Sequence, residues 1–304
     1  MSVAAAVTPP AVGAEAPGPR RAGRTPYLLL APGLAVLAIF FVAPILVLFF
    51  TSLMVPVPGG DIGQFQPAFE VSNYTNAIRE YWPIFVRSFG FGLLATVLAL
   101  LIGYPLAYVI AVRCRSRPTL AQFMLVLVIA PFFTSFILRT IAWRQILADE
   151  GPVVSVMRAL ALLPSDGRLT ATAFAVVAGL TYNFLPFMTL PIYASLERLD
   201  VRLIEAGQDL YAGPLTTFLR VTWPLSLPGV VAGTLLTFIP ASGDYVNAAL
   251  LGNPGTRMIG SIIDSQFFQV VDYPTAAALS FILMAVILVL VIVYIRRSGT
   301  EDLV

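Results

Sequence analysis

The chain has 304 residues, of which 58% are hydrophobic and only 11% charged, so the composition excludes an ordinary soluble domain, where about 25% would be charged. Its formal net charge of +2 is too small to favour nucleic acid as a partner. The single cysteine excludes an intramolecular disulfide and a cysteine-based metal cage. The chain has no histidine, which removes the commonest metal ligand. All 18 basic residues are arginine, and the lack of lysine excludes a Gly-Lys-Ser/Thr phosphate loop.

The N-terminal residues 1–26 are rich in Ala, Pro and Gly and have no amphipathic period, which predicts a disordered tail. Arg20, Arg21 and Arg24 then precede a long apolar run. The pattern superficially resembles a signal peptide. We predict an uncleaved first span instead, because the run is too long for the apolar region of a signal peptide and lacks a convincing cleavage site.

A membrane-spanning helix needs about 20 apolar residues to cross hydrocarbon about 30 Å thick. Six segments meet this requirement within a membrane domain predicted at residues 27–297. They cover about 28–53, 86–112, 120–143, 170–196, 229–251 and 275–295. The predicted fold class is therefore an all-α membrane protein with six transmembrane helices and a short C-terminal tail at 298–304.

The arginines predict the orientation of these helices. Of the 18 arginines, 11 lie in the N-terminal tail, the loop after span two, the insert after span four and the C-terminal end. The positive-inside rule therefore places both termini and the insert at 197–228 in the cytoplasm. Loops near 54–85, 144–169 and 252–274 face the outside.

The polar insert between spans four and five predicts a helix–turn–helix elbow. Asp200 is a suitable N-cap for a helix through about Tyr211. Gly213 suits the end of that helix, and Pro214 suits the first position of a second one. Pro224, Pro228 and Gly229 are then expected to turn the chain into span five.

The first helix of the elbow has a narrow apolar stripe whose centre, Ala206 and Gly207, is small enough for another backbone to approach closely. Two interpretations of this stripe remain open. The elbow is either an amphipathic helix lying on lipid or a docking helix for a cytoplasmic partner.

The stretch "EAGQDLYAGPLTTFLRVTWPLSLPG" at 205–229 resembles the EAA loop of permease subunits from ABC importers. In that family the loop docks into a groove on the ATPase subunit. Two departures are visible, since Gly207 stands where the family usually has Ala, and Tyr211 where it usually has Gly. Gly213 is then expected to take over the turn. The resemblance assigns ATPase coupling to Glu205, Ala206, Gly207, Asp209, Leu210, Gly213, Pro224, Leu225, Pro228 and Gly229.

Three further segments extend the resemblance to the B-type permeases of spermidine/putrescine importers. They are "PFFTSFILRTIAW" (131–143), "NFLPFMTLPIYASLERLD" (183–200) and "IPASGDYVNAALLG" (239–252). This resemblance implies the type I ABC importer architecture, a multi-pass location in the bacterial inner membrane and half of a translocation pathway that works by alternating access. Related permeases carry iron, thiamine or phosphonates, so these solutes remain alternatives.

The resemblance also implies the partners. They are a second permease, expected to be C-type, two ATPase subunits that bind ATP and Mg, an extracytoplasmic solute-binding protein and membrane lipid. This chain is expected to bind no cofactor or metal and to carry no catalytic residue. A self-sufficient secondary transporter or channel is a weaker alternative, because it does not explain the elbow.

A polyamine pathway requires acidic or aromatic groups that can accept a flexible cation with several ammonium groups. Asp244, in the fifth predicted span, is the first candidate, because an ionisable residue in a span usually faces a cavity or a partner. The alternative is structural: Asp244 pairs with Arg139 or caps a broken helix. The remaining pathway candidates are Tyr245, Asn247, Tyr182 and Asn183.

Overall fold

A computed structural model describes residues 25–164, 166–209 and 211–297. The predicted C-terminal tail, nearly all of the predicted N-terminal tail and Leu210 of the predicted coupling set lie outside these ranges. The described chain is predominantly helical, which confirms the predicted fold class. Five of its helices are long and apolar enough to cross a membrane, or six if one bent pair counts as a single span.

The N-terminal unit ends at Leu48. It contains α1 (Thr25–Leu37), a wider helical turn at Ala38–Val42 and the start of α2 (Ala43–Ser52). Pro44 is the second residue after the wider turn. Because proline has no N–H, it cannot donate the usual helical hydrogen bond, and such positions commonly carry altered turns.

The second unit begins at Phe49, within α2, and includes a short hairpin that the sequence did not predict. Strands β1 (Met54–Pro56) and β2 (Phe65–Pro67) pair antiparallel, with Met54 opposite Pro67. The turn between them contains Gly59 and Gly63, whose φ angles of +76° and +89° favour glycine.

The second predicted span is part of a longer helix, α3 (Ser72–Tyr108), which continues through a wider turn to Arg113. It begins at Ser72 rather than near residue 86, since its first turns are too polar to register as a span. Ala77 and Phe85 of this extension pack against the buried Ile259 and Ile262. Packing, rather than apolar length, therefore stabilises the start of α3.

The predicted third span, 120–143, is not one continuous helix. It consists of α4 (Pro118–Ile129), a tight turn at Ala130–Phe133 and α5 (Phe136–Ile146), and the two helices are bent by 101°. Pro131 lies in the tight turn, and Thr134 after it has extended backbone angles of −109° and 147°. This extended residue redirects the chain.

The remaining helices complete the described fold. They are α6 (Pro152–Ala159), α7 (Ala173–Glu197), α8 (Val201–Asp209), α9 (Pro214–Thr217), α10 (Trp223–Ser242), α11 (Val246–Leu251), α12 (Ile259–Ser265) and α13 (Tyr273–Arg297). The predicted fourth and sixth spans, 170–196 and 275–295, correspond closely to α7 and α13.

The predicted fifth span, 229–251, differs from the structure at both ends. The helical path begins at Pro214 and runs through a wider turn at Phe218–Thr222 into α10, which ends at Ser242. Pro224, Pro228 and Gly229 therefore lie inside a helical path and do not turn the chain. Pro224 is the second residue after this wider turn, and such altered turns are common where proline, which has no N–H, lies within a helical path.

Helices α3, α7 and α10 form the centre of the second unit, and they meet at small residues. Gly92 of α3 lies against Ser242 of α10, and a Cβ at Gly92 would be 2.7 Å from the Ser242 hydroxyl oxygen. At the crossing of α7 and α10, a Cβ at Gly229 would be 2.5 Å from both the Ser195 hydroxyl oxygen and the Pro191 carbonyl oxygen. Gly229 thus acts in helix packing.

We predict that Gly229→Ala lowers the stability of the purified full-length chain by about 1–3 kcal/mol, because an added methyl group overpacks the α7–α10 crossing. Gly90→Ala is the matched control, since nothing lies within 4 Å of a Cβ at Gly90. The control should be neutral or stabilising, because alanine is about 1 kcal/mol better than glycine in a helix. Thermal unfolding in detergent measures both; equal behaviour of the two variants contradicts the prediction.

Candidate functional site

The elbow begins where Asp200 caps α8. Its Oδ1 atom accepts a hydrogen bond from the backbone N–H of Arg202 at 3.0 Å, so a side-chain oxygen satisfies one of the free donors at the helix start. Glu205, Ala206 and Asp209 of the predicted coupling set are all exposed on this helix.

Gly207 forms the contact between the two halves of the elbow. A Cβ at this position would be 3.1 Å from Cγ2 of Thr217 in α9. Thr217 is buried, and its hydroxyl oxygen has no hydrogen-bond partner among the described residues. The small residue in the stripe therefore admits a side chain of the same chain.

The end of α8 differs from the expectation that Gly213 takes over the turn. Tyr211 has a left-handed backbone with φ of +57°, and the N–H of Ala212 donates to the carbonyl of Gly207 at 3.1 Å. This is the hydrogen bond of a helix-ending motif that normally has glycine in the left-handed position. Gly213 has φ of −62° and precedes α9 as its N-cap residue.

The base of the elbow is fixed to α3 by aromatic packing. The Tyr104 ring lies 5.2 Å from Trp223 and 5.7 Å from Phe218, measured between ring centroids. The Tyr104 hydroxyl also shares a 2.8 Å hydrogen bond with the Ser226 hydroxyl. Pro224, Leu225 and Pro228, by contrast, are exposed around this base.

A buried polar cluster joins α5, α7 and α11. The Asn183 side-chain amide donates to the Thr140 hydroxyl and to Oδ1 of Asn247, both at 3.0 Å. All three side chains have 0% exposure. Sequence reasoning selected the two asparagines but missed Thr140. A buried asparagine in a membrane span needs a hydrogen-bond partner. The sequence does not show which residue supplies it; the fold does.

Asp244 lies in the break between α10 and α11. It is 8% exposed, and its Oδ1 atom accepts a hydrogen bond from the backbone N–H of Asn247 at 2.7 Å. Arg139 makes no ion pair with Asp244; its guanidinium carbon lies 5.6 Å from the centroid of the Phe136 ring. Of the two structural alternatives for Asp244, the geometry matches the helix cap rather than the ion pair.

The two tyrosines among the pathway candidates lie apart from this cluster. Tyr245 is 46% exposed and borders a polar cavity of about 270 Å³ that also contains Asp264. Tyr182 packs edge-on against Trp143, with ring centroids 5.3 Å apart, and borders a separate apolar cavity of about 280 Å³. The structure therefore brings together Asp244, Asn247 and Asn183 only.

Several helices long and apolar enough to cross a membrane, with an exposed polar elbow between α7 and α10, define a multi-span membrane protein. The family described as "binding-protein-dependent transport system inner membrane component" matches residues 103–298. The chain belongs to this family, which confirms the expectation drawn from the EAA-like segment. It is a permease subunit of an ABC importer and a multi-pass protein of the inner membrane.

Comparison with individual proteins shows which members of the family this chain resembles. The chain is 36% identical over 232 residues to the spermidine/putrescine transport system permease protein PotB of Escherichia coli, covering 76% of this chain and 83% of that one. It is 35% identical to the protein of the same name from Haemophilus influenzae, covering 75% and 79%. A bacterial alginate ABC transporter, solved with its pentasaccharide-bound periplasmic protein, shares the fold at a TM-score of 0.66 and 17% identity, covering 90% of this chain and 94% of that one.

Proposed function

We propose that this chain forms half of the translocation pathway of an ATP-driven importer for a polyamine such as spermidine or putrescine. The observation that carries this proposal is the identity of about one third, over most of both chains, with permeases named for those solutes. Iron, thiamine and phosphonate importers are the alternatives that the uptake experiment below separates.

The break between α10 and α11 is our proposed point of contact with the cation. Asp244 supplies a carboxylate there, and its Oδ1 atom caps α11 by accepting from the Asn247 N–H. A Cβ at Gly260 of α12 would collide with the Gly243 carbonyl, so α12 lies directly on this break. Alternating access would move α12 away and expose the carboxylate to the solute.

We predict that Asp244→Asn leaves the assembled complex intact and lowers ATP-driven uptake of labelled spermidine, because asparagine keeps an oxygen acceptor for the Asn247 N–H but removes the charge. Losing a contact that contributes about 1.4 kcal/mol would lower the affinity for the solute about tenfold. Asp244→Ala should also reduce the amount of complex, since losing a cap costs about 1 kcal/mol.

The wild-type reconstituted transporter and the double variant Asp244→Asn, Arg139→Gln complete this experiment. Adding Arg139→Gln should not restore spermidine uptake, because no ion pair joins the Arg139 and Asp244 side chains. Wild-type transport of iron, thiamine or phosphonate but not of polyamines would reject the substrate class. Unchanged spermidine uptake by Asp244→Asn would show that the Asp244 carboxylate does not contribute to the translocation pathway.

The elbow is our proposed contact with the ATPase subunits. Its exposed α8 carries Glu205 and Asp209 on one helical face, while its base packs through Phe218 and Trp223 onto Tyr104 of α3. Movement of an ATPase subunit would therefore reach α3 and α10 together. ATP and Mg would bind to the ATPase subunits, and this chain would perform no hydrolysis.

We predict that Gly207→Asp preserves membrane insertion but weakens ATPase binding or uncouples hydrolysis from uptake. The new side chain would press against buried Thr217, since a Cβ at Gly207 already lies 3.1 Å from its Cγ2 atom, so α9 would have to shift away from α8 and change the surface that the elbow presents. Ser116→Asp adds the same charge at an exposed site outside the elbow and should bind and transport normally. Wild-type coupling in Gly207→Asp would show that this packing is dispensable.

Further partners complete the proposed transporter. A second permease, expected to be C-type, would supply the other half of the pathway, and two ATPase subunits would drive it. An extracytoplasmic solute-binding protein would deliver the solute. The family description names binding-protein dependence, and the similar alginate transporter was solved with a periplasmic protein; both support this composition.

We propose that both termini and the elbow are cytoplasmic, on the basis of the arginine distribution. In a Cys114→Ser background, we predict that an impermeant maleimide applied to intact spheroplasts labels Ile62→Cys but not Ser116→Cys. Both positions are exposed in the structure, Ile62 at 87%, so accessibility reports the side of the membrane. Labelling of Ser116→Cys before permeabilisation would invert the topology.

A further inference from the structure

Tyr211 combines two unfavourable features at the end of α8. Its φ of +57° places a non-glycine residue in the left-handed region, where Cβ lies too close to the following carbonyl oxygen. Its side chain is 99% exposed, and no other large apolar side chain in the described residues is more exposed. Both features have a cost in the isolated chain.

Within the described part of the chain, support for this conformation comes from the backbone of the turn and not from the Tyr211 side chain. The structure gives Tyr211 neither a hydrogen bond from its phenol group nor a contact between its ring and another aromatic ring. The Ala212 N–H to Gly207 carbonyl bond fixes the backbone turn, but glycine would make the same turn without strain. Residues held in sparsely populated backbone regions cluster at functional sites.

The surroundings of Tyr211 suit a protein groove better than a lipid surface. The elbow exposes Leu215 and Leu219, at 69% and 55%, which supply apolar area one helical turn apart. The exposed carboxylates of Glu205 and Asp209 are balanced by exposed arginines such as Arg202 and Arg220, so the elbow has no excess of positive charge that would attract the anionic lipids of the cytoplasmic leaflet. Tyrosine is also among the residue types that contribute most to protein–protein binding when buried in a pocket.

We propose that Tyr211 is the aromatic anchor of the elbow, inserting into a pocket of the importer's ATPase subunit, so that its strained conformation is compensated only in the assembled transporter. This inference rests on the proposed function, in which the elbow contacts the ATPase. It assigns the dominant contact to a residue that departs from the usual glycine of the EAA-like segment, and it makes that departure the source of affinity.

The test measures stability and binding on the same variants of the full-length chain. Tyr211→Gly should raise the melting temperature of the purified permease by roughly 2 °C, because it removes the strain, yet weaken binding of the ATPase subunit that co-purifies with the wild-type chain at least tenfold. Tyr211→Ala should weaken binding equally without the gain in stability. Tyr211→Phe should retain most of the affinity.

Phe69 offers a matched control. It has φ of +51° and is 75% exposed, but it lies in the predicted outer loop, so Phe69→Gly should raise the melting temperature and leave ATPase affinity unchanged. In a Cys114→Ser background, Tyr211→Cys should react with an impermeant maleimide in inside-out vesicles lacking the ATPase and be protected once the ATPase is bound.

Three results would overturn the inference. Wild-type affinity in Tyr211→Gly would show that the ring contributes nothing to docking. A lowered melting temperature in that variant would make Tyr211 part of the permease's own fold. Protection of Tyr211→Cys in ATPase-free vesicles would place the residue in lipid. A wild-type chain that binds no ATPase would instead reject the proposed function itself.

Discussion

The close approach of α7 and α10 is the constraint on which the described second unit depends. At Gly229 the two helices leave no room for a side chain, because the Ser195 hydroxyl and the Pro191 carbonyl occupy the space a Cβ would need. Helices in lipid gain little from the hydrophobic effect between them and rely on such close packing. This contact holds α10 against α7, and the elbow follows directly from the ends of those two helices.

Apolar length predicted where most spans lie but not where their helices begin, bend or break. Residues 72–85 were too polar to be included in a span, although Ala77 and Phe85 secure them to the segment around α12. The bend between α4 and α5 depends on an extended Thr134, which no hydropathy window registers. Pro224, Pro228 and Gly229 suggested a turn, yet all three lie within a continuous helical path, where a wider turn precedes Pro224 and Gly229 packs at the crossing with α7.

The candidate site was predictable to a similar degree. Asn183 and Asn247 were selected as polar residues within spans, and the fold brings them to 3.0 Å. Their partner Thr140 carries no distinguishing sequence signal, since threonine in a membrane helix commonly bonds its own backbone. The unusual tyrosine at 211 was visible in the sequence; that it retains the left-handed conformation, rather than passing it to Gly213, was not.

Helix α9, the wider turn after it and α10 form one continuous helical path from the elbow to the Asp244 break. From Pro214 to Ser242 the helical path has 29 residues, and its crossing with α7 at Gly229 lies near the middle. At 1.5 Å per residue, the arms on either side of Gly229 measure about 22 and 20 Å. A rigid tilt of this path about Gly229 would therefore move the elbow and the Asp244 break by similar distances in opposite directions.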